Sequence, residues 1–228
     1  MGISQNTGIV DQRPLQMFQT LLAAYGPQSW WPAENVEETI IGAILTQNTS
    51  WKNVERALAV LRQEELMDFN QLAWINLGRL AESIRSSGYY NQKARRLQGF
   101  SQRLQAEHGS LEQLATLPTR ALRDWLLDIH GVGKETADSI LLYAFSRPVF
   151  VVDAYTIRIF SRHHLIKETS GYDQVQTYIH ENLKPEAQTY NEFHALLVRT
   201  GKECCQRKHP RCENCPLTGD KARYKVKG

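Results

Sequence analysis

Apolar residues recur along most of this chain at the spacing of an α-helix, three or four positions apart. The clearest example is a pair of apolar stripes that flank a short turn. The first stripe is Leu122, Trp125, Leu126 and Ile129, and the second is Ala137, Ile140, Leu141 and Ala144. Spacing of i, i+3, i+4 and i+7 places such residues on one face of a helix. The pattern therefore predicts two consecutive helices that form a hairpin.

Similar patterns predict helices along nearly all of the chain. Asn35, with Glu38 three residues later, is typical of a helix start, and Ser50 is suited to cap the next helix. Further helices are predicted at 77–85, 91–108, 111–116, 119–129, 136–145, 154–164, 172–182 and 187–200. The short apolar run 149–152, directly after Pro148, marks an internal boundary. The predicted fold class is all-α.

The net charge of the 228 residues is only +3, but the basic residues are unevenly distributed. Positions 202–228 contain eight Lys or Arg and three Asp or Glu, and positions 85–103 contain five basic residues and no acidic one. Either cluster alone is typical of a solvated helix face. Two clusters together suit a polyanion, because each neutralised phosphate releases counterions.

Neither a bilayer-spanning segment nor a signal-peptide pattern stands out in the sequence. We therefore expect no membrane contact. The expected location is cytoplasmic and nucleoid-associated.

The turn of the predicted hairpin contains Gly131 and Gly133. Glycine permits positive φ and close approach by another backbone. The second helix would then begin with unpaired N–H groups beside Lys134 and Thr136, which predicts a phosphate site. An αα-hairpin with an ordinary glycine turn is the alternative interpretation.

Together with other segments, this hairpin resembles the endonuclease III superfamily, the helix-hairpin-helix-Gly/Pro-Asp DNA glycosylases. Residues 45–49 read Leu-Thr-Gln-Asn-Thr, like the family loop that enters DNA at the lesion. Residues 87–94 read Ser-Gly-Tyr-Tyr-Asn-Gln-Lys-Ala, like its Gly-Tyr-Tyr motif. Asp153 stands where the family has its catalytic aspartate. Within the superfamily the chain is most similar to bacterial 3-methyladenine DNA glycosylases, at residues 30–32, 46–49, 125–128 and 131–138.

The resemblance implies a two-lobed fold with the DNA cleft between the lobes. Residues 36–147 would form a helical barrel domain that carries the hairpin. Residues 1–35 and 148–228 would form the second lobe. The implied DNA contacts are Gln47, Asn48, Gly131, Gly133, Lys134 and Thr136.

The resemblance also implies an aromatic pocket for the extruded base. The matching residues are Trp30, Trp31, Pro32 and Trp51. An N3-alkylated adenine is cationic, and an electron-rich ring face attracts such a cation by about 0.5–2 kcal/mol. Core packing at the lobe junction is the alternative role for the tryptophans. Adjacent residues point in different directions, so at most one of Trp30 and Trp31 would stack on the base.

Bifunctional members of the family carry a lysine where this chain has Glu135. Lys134 lies one residue earlier, which is about 100° of rotation on a helix. The resemblance therefore implies a monofunctional glycosylase whose abasic product goes to a downstream abasic-site endonuclease. Asp153 would stabilise positive charge on the sugar and position or deprotonate the attacking water. A helix N-cap is the alternative role for Asp153.

The four cysteines lie close together near the C-terminus. Three of them match the first three ligands of the endonuclease III iron–sulfur loop: Cys205, Cys212 and Cys215. The fourth family position is Lys221, which leaves Cys204 as the remaining thiol. Thiolate-only ligation and the resemblance favour a structural [4Fe–4S] cluster. Zinc, with His209 as a possible ligand, and a loop without metal are the alternatives.

The expected function is a monomeric glycosylase that removes alkylated purines of the 3-methyladenine type from double-stranded DNA after base flipping. One departure concerns the late helix, where the alkylation branch can carry a lysine in a Phe-His segment. Here Phe193 and His194 are followed by Ala195 and Leu196, and we expect His194 to be a packed histidine. The alternatives are a glycosylase for oxidised pyrimidines or mismatched bases, or a non-catalytic protein that binds abasic or bent DNA.

Overall fold

A computed structural model describes residues 10–219, and the chain divides into two compact units. Unit 2 consists of Trp31–Pro148, and unit 1 consists of the segments on either side of it. The lobe predicted at 36–147 lies within unit 2.

Unit 2 consists largely of helices. They are α2 (Val36–Leu45), α3 (Trp51–Gln63), α4 (Phe69–Trp74), α5 (Leu77–Ser83), α6 (Tyr90–Glu107), α7 (Leu111–Ala115), α8 (Thr119–Leu127) and α9 (Lys134–Ser139), with a 3-10 turn at Arg85–Ser87 and a π-helical turn at Ile140–Ala144. The longest of them, α6, packs against α2, α4 and α5.

The central helix of unit 2 is α2, which is buried on all sides from Glu38 to Leu45. It begins as predicted, because Oδ1 of Asn35 accepts the N–H of Glu38 at 2.8 Å. A helix that is apolar all round belongs in the interior. Its one buried carboxylate, Glu38, forms an ion pair with Arg62 of α3.

The predicted hairpin is formed by α8 and α9. Arg123 of α8 binds both carboxylate oxygens of Asp138 on α9, at 2.6 and 3.0 Å. Asp138 is 0% exposed. This bidentate ion pair links α8 to α9 through their side chains.

The second hairpin helix differs from the prediction in its bounds and its pitch. It begins at Lys134 rather than 136, and it changes to π-helical hydrogen bonding at Ile140–Ala144. A π turn takes in an extra residue and shifts the register of the faces. Ala144 was predicted on the buried stripe but is only half-buried, whereas Ala137 and Leu141 are fully buried.

Unit 1 contains four α-helices among the residues described. They are α1 (Arg13–Tyr25), α10 (Ala154–Arg162), α11 (Tyr172–Asn182) and α12 (Ala187–Glu203), followed by 3-10 turns at Cys212–Asn214 and Pro216–Gly219. Both α1 and α10 pack against α12. Helix α1, like α4 of unit 2, was not among the predicted helices.

The apolar run 149–152 enters unit 1 without regular secondary structure and is buried throughout. Side chains of α11 provide hydrogen-bond partners for the backbone of Phe150 in this run. The N–H of Phe150 donates to Nε2 of His180 at 3.0 Å, and Gln176 donates to the Phe150 carbonyl oxygen at 2.7 Å. A buried segment outside a helix needs such partners. Across residues 10–219, no helix has both the length and the apolar character needed to cross a bilayer.

Candidate active site

Asp153 lies at the junction between the buried run 149–152 and α10. It is the N-cap of α10, and its Oδ1 accepts the backbone N–H of Thr156 at 2.7 Å. The residue is 8% exposed. The cap role considered from the sequence is thus present, and it occupies only one of the two carboxylate oxygens.

The second carboxylate oxygen faces a histidine that sequence reasoning had treated only as a packing residue. Nε2 of His194, on α12, lies 3.5 Å from Oδ2 of Asp153. His194 is 6% exposed, so it is packed as expected. Its proximity to Asp153 depends on the packing of α10 against α12, and no local sequence pattern reports it.

The environment of Asp153 favours the ionised carboxylate. Burial by itself would raise the pKa of Asp153. The hydrogen bond and charge of His194, together with hydrogen bonds from Thr156, outweigh burial and hold the pKa below its ordinary value. A carboxylate ionised in a water-poor setting interacts strongly with positive charge that develops nearby.

Three aromatic side chains of unit 2 form a cluster beside α2. The rings of Trp31 and Trp51 meet edge to face, with centroids 4.8 Å apart and planes at 79°. The ring of Tyr143 stacks on Trp31 at 4.9 Å and 28°. Both indoles lie over Gly42, where an added Cβ would meet Trp51 at 3.4 Å and Trp31 at 3.5 Å.

Two of the four predicted pocket residues, Trp31 and Trp51, share this cluster. Trp30 belongs to unit 1, and Pro32 is exposed. Tyr143 was not predicted to belong to the group. It lies on the π turn, and π turns occur frequently at functional sites. A helix-periodicity pattern carries no signal for this change of pitch.

The predicted DNA-contact residues all lie in unit 2. Gln47 is half-buried and Thr136 is buried, whereas Asn48, Gly131, Gly133 and Lys134 are exposed. Only Gly131 uses the positive φ that both glycines permit, with φ of 83°; Gly133 is the N-cap of α9 at φ −94°. Glu135, which the resemblance places at the lysine position of bifunctional glycosylases, is also exposed.

The cysteine loop follows α12 in unit 1. All four cysteines are free thiols; Cys204, Cys205 and Cys215 are buried and Cys212 is half-buried. Burial, followed by the nearby thiols of the other three cysteines, raises the pKa of Cys215 to about 11. Arg162 donates to Sγ of Cys205 at 3.2 Å.

The donor chemistry of this loop and its geometry point in different directions. Thiolates are the ligands that iron–sulfur clusters and zinc prefer. Within residues 10–219, however, no group of three or more His, Cys, Asp or Glu side chains is arranged to hold a metal ion. His209, the possible zinc ligand, is exposed. Lys221, at the fourth family position, lies outside the described residues.

A hairpin with a glycine turn, followed by a buried aspartate that caps the next helix, is the arrangement of a helix-hairpin-helix DNA repair protein. The chain belongs to the HhH-GPD superfamily of base excision DNA repair proteins, whose family model matches residues 41–185. The superfamily predicted from the sequence is therefore confirmed.

Individual relatives agree with this assignment. The chain is 47% identical over 204 residues to “Putative DNA repair glycosylase MJ1434” of Methanocaldococcus jannaschii, covering 89% of this chain and 92% of that protein. It is 33% identical to the structure of H. pylori 3-methyladenine DNA glycosylase (MagIII) bound to 1,N6-ethenoadenine. That match covers 83% of this chain and 97% of the H. pylori chain, with a TM-score of 0.72.

The fold is shared more widely than the sequence. The structure of a trapped endonuclease III–DNA covalent intermediate has a TM-score of 0.77 at 21% identity, covering 92% of this chain and 94% of that chain. The predicted all-α helix-hairpin-helix glycosylase fold is confirmed. The protein is a DNA glycosylase of base excision repair.

Proposed function

We propose that this glycosylase hydrolyses the N-glycosidic bond of alkylated purines of the 3-methyladenine type in double-stranded DNA. The observation that carries the substrate class is the aromatic cluster of Trp31, Trp51 and Tyr143. An N3-alkylated adenine is a cation, and electron-rich ring faces bind cations more strongly than neutral bases. The 33% identity to the H. pylori 3-methyladenine DNA glycosylase supports the same substrate class.

Asp153 is the proposed catalytic residue. Departure of the base leaves positive charge on the deoxyribose, and an ionised carboxylate stabilises that charge. The lowered pKa of Asp153 keeps the carboxylate ionised at neutral pH. Its Oδ1 accepts the cap hydrogen bond, so the oxygen assigned to the sugar or the attacking water is Oδ2, which lies 3.5 Å from Nε2 of His194. An alkylated base is already a good leaving group, so strong acid catalysis is not required.

The remaining predicted residues take supporting roles in this proposal. Trp30 and Pro32 are the further residues that the resemblance assigns to the base pocket. The duplex is contacted by Gln47, Asn48, Gly131, Gly133, Lys134 and Thr136. The protein acts as a monomer in the cytoplasm at the nucleoid.

We propose that the enzyme has no lyase activity. Covalent lyase chemistry needs an amine nucleophile, and the position of that amine in bifunctional relatives is occupied by Glu135. The abasic product then passes intact to an abasic-site endonuclease. Borohydride treatment of the enzyme on abasic DNA should trap no adduct. Efficient trapping would identify an amine nucleophile, with Lys134 as the first residue to replace.

For the cysteine loop we propose a structural [4Fe–4S] cluster, with zinc as the alternative. The support is the thiol donor set, three of whose members are buried. Iron and acid-labile sulfide in similar amounts, in protein purified without oxygen, would agree with the cluster. Stoichiometric zinc without iron would contradict it. If Cys204→Ser leaves the iron content unchanged, Cys204 is not a ligand.

The substrate class is tested by base release. Duplex DNA carrying 3-methyladenine is incubated with the full chain, and the released bases are identified by chromatography. We expect 3-methyladenine as the product. Release of only oxidised pyrimidines or mismatched thymine from matched duplexes would contradict the substrate class. Tight binding to abasic DNA without any release would contradict the proposed catalytic activity.

The role of the aromatic cluster is tested by replacing its tryptophans. Removing an aromatic ring that stacks on a base costs about 1–3 kcal/mol, so Trp31→Ala and Trp51→Ala should lower base release about 5- to 150-fold. Affinity for abasic duplex should change little. Trp74→Ala is the matched control, because Trp74 is 80% exposed and lies on α4. If the two cluster variants unfold or no longer bind duplex, the tryptophans serve the core.

A further inference from the structure

Gln47 is held at both ends of its side-chain amide. Its Nε2 donates to the carbonyl oxygen of Gly131 at 3.2 Å and to Oγ1 of Thr136 at 2.8 Å. Its Oε1 accepts from the guanidinium of Arg96. Partners of the right kind at both ends define the orientation of an amide. This one side chain therefore connects residues 46–49, the segment after α2 (the Gln47 segment), to Gly131 and Thr136 on the two sides of the hairpin turn.

Arg96 reaches Gln47 by lying directly against Gly131. A Cβ atom at position 131 would lie 2.2 Å from Nε and 2.9 Å from Cδ of Arg96, so no other side chain fits there without displacing the arginine. The positive φ of Gly131 favours glycine as well. The turn glycine thus accommodates the guanidinium in addition to permitting the turn.

Lys93 fixes the same segment from the interior. It lies on α6 three residues before Arg96, and residues three apart share a helix face. Its Nζ donates to the carbonyl oxygen of Leu45, the last residue of α2, at 2.8 Å and to that of Ser87 at 2.6 Å. The residue is 0% exposed. Burial, with a smaller contribution from the charge of Arg96, lowers the pKa of Lys93 to about 8.

A fully buried lysine is rare unless its ammonium group has partners. Here the two partners are main-chain carbonyls at the end of α2 and in the 3-10 turn before α6. Lys93 therefore fixes the carbonyl of Leu45, the residue directly before the Gln47 segment. Arg96 holds the tip of Gln47 itself, so one face of α6 determines both positions.

We propose that Arg96 is a positioning residue that joins the Gln47 segment to the glycine turn of the hairpin, so that both engage duplex DNA as one preorganised surface. The inference rests on the proposed function, in which Gln47, Gly131 and Thr136 contact the duplex. Ordering side chains and loops at an interface reduces affinity. Segments that are already joined in the free protein avoid most of that cost on binding.

The competing role for Arg96 is a direct contact with a DNA phosphate. The two roles differ in how Arg96 depends on Gln47. A phosphate contact acts independently of Gln47 and contributes to the salt dependence of binding. A positioning residue acts through Gln47, so removing either partner removes the same contribution.

The first test is a double-mutant cycle with the full chain. The ligand is a duplex with a tetrahydrofuran abasic-site analogue opposite 2-aminopurine, whose fluorescence reports both binding and disturbance of the opposite base. We expect Gln47→Ala and Arg96→Met each to weaken binding about tenfold. The double variant should be no weaker than about tenfold. Additive effects, near a hundredfold, would overturn the proposal.

Arg95→Met is the matched control for charge. Arg95 is the neighbouring residue on α6, is exposed, and its replacement removes the same charge from the same side-chain stem. Removal of one phosphate-binding cation reduces the slope of log affinity against log salt by about 0.9. We expect Arg96→Met to change the slope no more than Arg95→Met does, while it weakens binding more. Equal affinities for the two variants would contradict the proposal.

The second test uses the free protein and requires neither substrate nor catalysis. Amide hydrogen exchange is followed in segments 46–49 and 131–136. Gln47→Ala should increase exchange in both segments, as should Arg96→Met, and Arg95→Met should increase neither. If Gln47→Ala affects only its own segment, the two are not joined and the inference fails. Failure of the proposed function would show separately, as absence of alkylated-base release by the wild-type chain.

Discussion

Two buried aspartates, one in each unit, have opposite kinds of partners around their carboxylates. Asp138 is 0% exposed, and both of its oxygens receive the guanidinium of Arg123. Asp153 is 8% exposed, and its neighbours are a backbone N–H and the imidazole of His194 at 3.5 Å. The first carboxylate is neutralised by a permanent cation. The second has no arginine or lysine among these neighbours.

This difference separates a structural carboxylate from one suited to chemistry. Arginine is always protonated, so a permanent cation lies against both oxygens of Asp138. A carboxylate that must stabilise a transient cation has to keep its charge available. Burial alone does not distinguish the two roles, whereas the identity of the partner does.

The strongest test of the comparison is Asp153→Asn. Asparagine caps a helix about as well as aspartate, so the melting temperature and affinity for abasic DNA should be retained. The amide has no charge, so base release should fall at least ~100-fold. Single-turnover release of 3-methyladenine measures the effect. Asp68→Asn, at the exposed N-cap of α4, is the control and should leave the rate unchanged. Near-normal turnover by Asp153→Asn would reduce Asp153 to a cap.

Asp138→Asn should give the opposite result. Removing one partner of a buried ion pair leaves the other charge without compensation. Because Arg123 is 23% exposed, the expected decrease in unfolding free energy is moderate, about 2 kcal/mol. For a chain of this size the melting temperature should fall by about 4–8 °C. Base release per folded molecule, measured well below the melting temperature, should be retained. A decrease in rate without a decrease in stability would assign Asp138 to the chemistry.

The smallest of the three effects is expected from His194→Gln. Glutamine can donate a hydrogen bond but carries no charge, and burial still raises the pKa, so the pKa of Asp153 should rise from its position below the ordinary value of 3.8. In the wild type, the contribution of the ionised carboxylate is complete above that value and is lost as the pH falls through the lower folded pKa. The acid limb of the pH–rate profile should therefore move to higher pH. His164→Gln, at an exposed position, is the control. An unchanged limb would show that His194 does not tune Asp153.

Local features of the site could be predicted from the sequence. The N-cap at Asn35 and the helix start at Asp153 are local, because a cap and the residues it serves lie within one turn. The hairpin followed from two apolar stripes around a glycine turn. The resemblance to the superfamily supplied the assignment of Asp153, which the helix start alone would explain as a cap.

The partners of these residues could not be predicted, because they come from distant parts of the chain. His194 reaches Asp153 through the packing of α12 on α10. Tyr143 reaches Trp31 from a turn whose π pitch leaves no trace in the apolar periodicity. Lys93 and Arg96 were counted in a basic cluster suited to a polyanion, whereas both donate hydrogen bonds to the protein itself. The number of basic residues in a segment does not indicate whether their cationic groups face solvent or bind other groups of the protein.

Gly42 also bears on how far this protein can be stabilised. Glycine inside a helix is less favourable than alanine by about 1 kcal/mol. A methyl group at position 42 would meet Trp51 and Trp31 at 3.4 and 3.5 Å, which is ordinary van der Waals contact. Alanine would therefore fit at position 42. With glycine there, α2 is less stable than it would be with alanine, at the place where the two indoles meet. A stabilising Gly42→Ala substitution would place its methyl group against both indoles of the proposed base pocket, so helix stability and the free volume beside the rings depend on the same atom.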